Sequence, residues 1–174
     1  MPEIFNSDYK GTEVAKKFIR KYNINTKIFS IGIFILIVSL IPYLLIQSDN
    51  LNERLIPAVI VAIVGLILIF VGNYRTNQLK DANKNKYTVA ALDYISDQRK
   101  EVNKFYRRDL IIGILLVILI PIIYFLLVNN ASFIPENVAR YIHAVLVLVL
   151  AVALFLIFNS KGRRDAYSFI SENI

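Results

Sequence analysis

The chain has 174 residues, 56% of them hydrophobic, with a formal net charge of +7 and no cysteine. That apolar fraction, with a positive mean hydropathy, exceeds what one soluble core of this length requires, and points to a membrane protein. The lack of cysteine excludes disulfides, thiolate metal sites and cysteine nucleophiles. The basic residues avoid four long apolar runs and gather between them, which suits topology signals and anionic headgroups rather than nucleic acid.

Residues 1–27 are polar and basic. A helix capped by Thr12 would align Val14, Phe18 and Tyr22 on one face, so an amphipathic segment lying on the membrane surface is expected. Residues 28–46 form the first uncharged run and are long enough to cross a hydrocarbon core of about 30 Å. The run starts too far into the chain, and is too long, for a cleavable signal. Pro42 predicts a kink near its far end, with the Ser39 hydroxyl returning a bond to the helix backbone just before it. A short hydrophilic turn leads to a second run over 55–71, so the first hairpin spans 28–71. Ala58, Ala62 and Gly65 fall at helical spacing there, and such a stripe of small side chains predicts close helix packing in lipid.

Residues 72–109 form a polar block between two apolar hairpins. Tyr87, Ala91, Tyr94, Ile95, Val102 and Phe105 mostly share one helical face, whereas Asp93, Asp97, Arg99, Lys100 and Lys104 lie on others. The pattern predicts two helices projecting as a solvent-exposed pair that turns near 81–85, with the apolar face open to a partner. The second hairpin covers 110–158, with Gly113 and a second expected kink at Pro121. Its connection holds a glycosylation-type triplet, Asn130-Ala131-Ser132. A short basic tail occupies 159–174.

Residues 1–27, 72–109 and the tail carry 6, 9 and 3 basic residues, whereas the two turns within the hairpins carry one each, Arg54 and Arg140. The positive-inside rule then places both termini and the block in the cytoplasm. The fold class expected is an all-α integral membrane protein, with four transmembrane helices as two hairpins and cytoplasmic helical extensions. Leu40-Ile41-Pro42 recurs as Leu119-Ile120-Pro121, as a parallel repeat of the two halves would produce.

Residues 31–45 read IGIFILIVSLIPYLL. This stretch resembles the opening span of a membrane domain that follows Cro/repressor-type helix-turn-helix domains in Gram-positive bacteria. The resemblance implies a bacterial membrane module related to regulators. It implies no DNA binding, because 27 residues ahead of the span are too few for a three-helix DNA-binding domain.

The sequence carries no Walker-type phosphate loop and no paired-histidine metal motif, so neither a cofactor nor a metal is expected. The single histidine, His143, lies one turn into the fourth run, with only Glu136 as a nearby carboxylate, which leaves a serine nucleophile without a triad. The apolar runs hold no Asp, Glu, Lys or Arg, against an ion-coupled transporter. Ser39, Tyr43, Tyr124 and His143 are the candidates for a polar site within the membrane. The expected activity is non-enzymatic: a regulatory, accessory or immunity-type protein acting through its cytoplasmic helices on the lipid surface, a protein partner or another copy of itself. The alternative is an oligomeric small-solute transporter or channel subunit.

Overall fold

The computed structural model describes residues 2–84, 86, 87, 89–129 and 134–173, with side chains from Gly11 onward except at 89 and 90. The described residues contain no strand. They form α1 (Pro2–Val38), α2 (Leu40–Leu45), α3 (Leu51–Ala82), α4 (Val89–Asn129) and α5 (Glu136–Glu172). Four helices are long and apolar enough to cross a membrane: those over Gly11–Leu45, Leu51–Ala82, Ala91–Asn129 and Glu136–Glu172. At about 1.5 Å per residue, the four run to roughly 50–60 Å each, well beyond an apolar core of about 30 Å. The surplus of every helix lies at one end of the molecule, with the described connection residues 83, 84, 86 and 87. We call this the polar end.

Local chemistry fixes the helix boundaries. Asn50 caps α3 by accepting a hydrogen bond from the Asn52 amide at 3.0 Å, and Glu53 in the first turn receives the Ser48 hydroxyl at 2.6 Å. Arg54 reaches back to the Tyr43 carbonyl, 3.3 Å away, and lies over the Tyr43 ring, so it serves one of the unpaired carbonyls that end α2. At the opposite side of the same end, Arg140 pairs with Glu136 in the first turn of α5. The helix is interrupted at Ser39, three residues before Pro42. The Ser39 hydroxyl donates to the Leu36 carbonyl at 2.6 Å, and Pro42 itself can give no amide to Val38. Pro121 produces no such interruption, and α4 runs through it unbroken; Pro57 likewise sits inside α3.

Four side-by-side helices pack in the order α3, α1, α5, α4, with α1 and α5 in the middle. Close approach rests on glycine. A Cβ on Gly32 of α1 would stand 2.7 Å from the Ile69 nitrogen and 2.8 Å from the Gly65 oxygen; one on Gly65 would stand 2.7 Å from the Leu36 nitrogen. Two backbones touch there, and neither can yield, so the α1–α3 contact depends on both glycines. Phe29–Phe158 and Phe34–Phe155 edge-to-face pairs join α1 to α5, and Gly113 admits Ile157 between α5 and α4. Each neighbouring pair is antiparallel by these contacts. By contrast α3 and α4 barely meet.

Along the apolar stretches most large side chains face outward. Only 6% of the most apolar window of α4 is buried, and 22% of that of α5. The accessible surface of 11376 Å² exceeds by about 30% the roughly 8,700 Å² expected of a compact soluble protein of this mass. A long, thin, outwardly apolar body is compatible with lipid as its solvent and would aggregate in water.

The polar end holds the one well-filled core among the described residues. Ala15, Phe18, Ile19 and Tyr22 of α1 meet Tyr87, just ahead of α4, Ala91 and Ile95 of α4, and Ala166, Tyr167 and Ile170 of α5. Phe18 is stacked on Phe169 at 5.2 Å and edge-on to Tyr87 at 5.7 Å. This corrects two expectations. The row containing Val14, Phe18 and Tyr22 is not a free face for lipid: α1 runs unbroken from it into the apolar stretch, and the row packs inside the protein. The polar block is not a free-standing helical pair either, because α1 and α5 close over it. The triplet Asn130-Ala131-Ser132 lies outside the described residues.

Candidate functional site

The expected partner face is largely consumed by this core. Tyr87, Ala91 and Ile95 are buried against α1 and α5, and Tyr94 and Val102 are half-buried at its edge, while Phe105 alone stays exposed. An apolar row on α4 finds its partners within the chain, so the face is not open to another protein. Of the small-residue stripe, Ala58 and Gly65 are buried and Ala62 half-buried, and Gly65 is in backbone contact with α1. The polar candidates fall into two separate pairs. Ser39 and Tyr43 line a shallow, mostly apolar cleft of about 300 Å³ with Leu40, Leu55, Ala58, Val59 and Ala62. Tyr124 and His143 stand edge-to-face at 5.9 Å. The first pair meets one charged group, the Arg54 guanidinium over the Tyr43 ring.

A different place gathers chemistry. Beside the polar-end core, α1, α4 and α5 enclose an open groove of about 660 Å³. Lys16, Arg20, Asn23 and Lys27 of α1 form one wall, at spacings of four, three and four. Tyr94, Gln98, Glu101 and Phe105 of α4 form the other at the same spacings, and Arg163 and Tyr167 of α5 provide the floor. Identical spacing follows from two parallel helices in register, each showing one ridge across a gap. The Tyr167 hydroxyl donates to the Gln98 side-chain oxygen at 3.1 Å, tying floor to wall. Lys16 sits 5.0 Å from the centre of the Tyr94 ring, a cation held by an aromatic face rather than a carboxylate. Four cations thus face one carboxylate, Glu101. The three ion pairs among the described residues all lie elsewhere, between residues at most four apart in sequence. The Asn23 side-chain oxygen is buried without a hydrogen-bond partner.

On the other side of α1 a second layer of buried polar residues marks where the apolar stretches begin. Asn25, Thr26 and Ser30 of α1 and Asn159 and Ser160 of α5 are all buried; Thr26 meets α5 at Gly162, which leaves room for its side chain, while Asn25 lines a cleft with Arg75 and Gln78 of α3. The Ser30 hydroxyl donates to the Thr26 carbonyl at 2.9 Å, so its own helix satisfies it. The cation row on α1 was present in the sequence as a 4-3-4 spacing. It is masked there by the stronger aromatic row, and its opposite wall lies about 80 residues further on. No group of three or more His, Asp or Glu side chains that could hold a metal occurs among the described residues. No family model, no curated protein and no solved structure matches this chain.

Proposed function

We propose that the chain is a non-enzymatic multi-pass membrane protein of regulatory, accessory or immunity type, inserted as two hairpins and acting through its folded polar end in the cytoplasm. The single observation behind this reading is the continuity of the helices. The stretches apolar enough for lipid run without a linker into the polar-end core, so anything bound at that end bears on the packing of the spans. The distribution of basic residues supports the cytoplasmic orientation through the positive-inside rule. The resemblance of residues 31–45 to a regulator-associated membrane domain supports the regulatory class. An oligomeric solute carrier or channel draws less support, since the cleft at Ser39 and Tyr43 is shallow and lined mostly by apolar side chains.

The chain has no cysteine, so single cysteines introduced by mutation report topology without background. Cysteines at Asp49 and Glu136 should react with a membrane-impermeant maleimide in intact cells. Those at Lys84 and Lys161 should react only after permeabilisation. Labelling of Lys84→Cys from outside would refute the orientation, and equal labelling of all four would refute the spans.

A further inference from the structure

We propose that the groove between α1, α4 and α5 is a binding site for a phosphate ester, the headgroup of an anionic phospholipid drawn from the adjoining leaflet. The inference rests on the orientation given under Proposed function and names the ligand of that cytoplasmic end.

Four features of the groove define the ligand. Lys16, Arg20, Lys27 and Arg163 face a single carboxylate, and none of the four pairs with an acid among the described residues, so a net positive field is left for an anion. Arginine and lysine together match a phosphate, the former by forked donation and the latter as a point charge. The groove lies at the right depth: Lys27 immediately precedes the first apolar run, and Phe105 and Arg163 lie about one and a half turns from the runs on α4 and α5. From that level the row on α1 climbs roughly 16 Å to Lys16. The groove also has a side entrance, because α1 and α4 have far less contact with each other than either has with α5. Ile24, Val102 and Phe105 line that approach with apolar surface, which suits the glycerol and upper acyl part of a lipid.

Asn23 adds a preference. Its side-chain oxygen is buried with no partner in a residue that lines the groove. Turning that amide toward the groove would let the oxygen accept a hydroxyl from the ligand, relieving an unpaired buried acceptor. A phosphodiester with a hydroxyl-bearing headgroup, such as phosphatidylglycerol, satisfies both the cations and Asn23.

The test uses the full chain in mild detergent, with lipid retention followed by native mass spectrometry. Phosphatidylglycerol should bind with one saturable site. The triple variant Arg20→Gln, Lys27→Gln, Arg163→Gln should weaken that binding at least tenfold. A triple variant with the same loss of charge outside the groove, Lys84→Gln, Lys86→Gln, Lys104→Gln, should change it less than twofold. All six side chains are exposed, so both variants should keep the wild-type melting temperature. Phosphatidylmethanol, which has the charge without the hydroxyls, should bind more weakly than phosphatidylglycerol, and Asn23→Val should abolish that difference. Equal weakening by the two triple variants would reduce the effect to overall charge and overturn the site. Displacement of the lipid by inorganic phosphate or glycerol 3-phosphate at millimolar concentration would overturn the lipid as its source. Detergent binding does not depend on which way the chain is inserted, so these outcomes are separable from the cysteine-labelling result.

Discussion

At the scale of single residues, Tyr87 shows how the polar-end core balances packing against polarity. Its ring stands edge-on to Phe18 and, at 6.4 Å, to Phe169, while its hydroxyl is buried with no hydrogen-bond partner. The ring contributes contact area, and the hydroxyl contributes only a desolvation cost of about 1–3 kcal/mol. Tyr87→Phe should therefore leave thermal stability at neutral pH unchanged or raise it by up to about 1 kcal/mol. The same burial pushes the Tyr87 ionisation well above that of a free tyrosine. A raised folded-state value means the native state holds its proton longer than the unfolded chain. Stability is then intact below about pH 10 and falls as pH rises from there toward the folded-state value. Melting scans from pH 8 to 11 should show the wild type losing stability above pH 10 more steeply than Tyr87→Phe. Parallel curves would show that this hydroxyl is not buried in the native protein.

At the scale of elements, the amino-terminal helix is what makes the block fold. Residues from α1 and α5 cover the aromatic row of α4, so the half of the block beginning at Tyr87 lacks its own hydrophobic partner. Phe18 is only 2% exposed and touches both sides, and its removal leaves a cavity costing about 3–5 kcal/mol. Phe18→Ala should therefore speed amide hydrogen exchange at Ala91–Ile95, more than 70 residues away in sequence. Lys17→Ala, on the exposed side of the same helix, should not. Unchanged protection at Ala91 in Phe18→Ala would detach α1 from the core. The sequence already carried the long apolar helices, the small residues on α3 and the aromatic row on α4, because each is a local periodicity. Which surface covers that row was not legible. Val14, Phe18 and Tyr22 make a face equally suited to lipid headgroups or to a neighbouring helix, and only the tertiary register of α1 with α4 and α5 decides between them. The groove was hidden for the same reason, since its two walls are unremarkable until parallel helices bring them opposite each other.

At the scale of the whole molecule, the two halves of the chain are unequal in packing although alike in hydropathy. A parallel repeat would relate α1 to α4 and α3 to α5, and would make the α3–α4 contact the counterpart of the α1–α5 contact. The second is extensive, carried by Phe29–Phe158 and Phe34–Phe155, while α3 and α4 barely meet. The repeat of Leu-Ile-Pro is unequal too, since the helix breaks before Pro42 and runs through Pro121. The asymmetry leaves Ile67 on α3 and Ile112 on α4 both exposed. A cysteine-free chain allows a direct test in native membranes by oxidative crosslinking of paired cysteines. Phe34→Cys with Phe155→Cys should crosslink within one chain, since these side chains meet across the α1–α5 contact. Ile67→Cys with Ile112→Cys, at about the same depth, should not crosslink within one chain, because those residues sit on the outer helices of the array. Efficient intramolecular crosslinking of both pairs would mean a closed bundle with two equivalent seams and would restore the symmetric repeat. Crosslinking of the second pair only between chains would instead show that the outer faces of α3 and α4 are where copies of the protein meet.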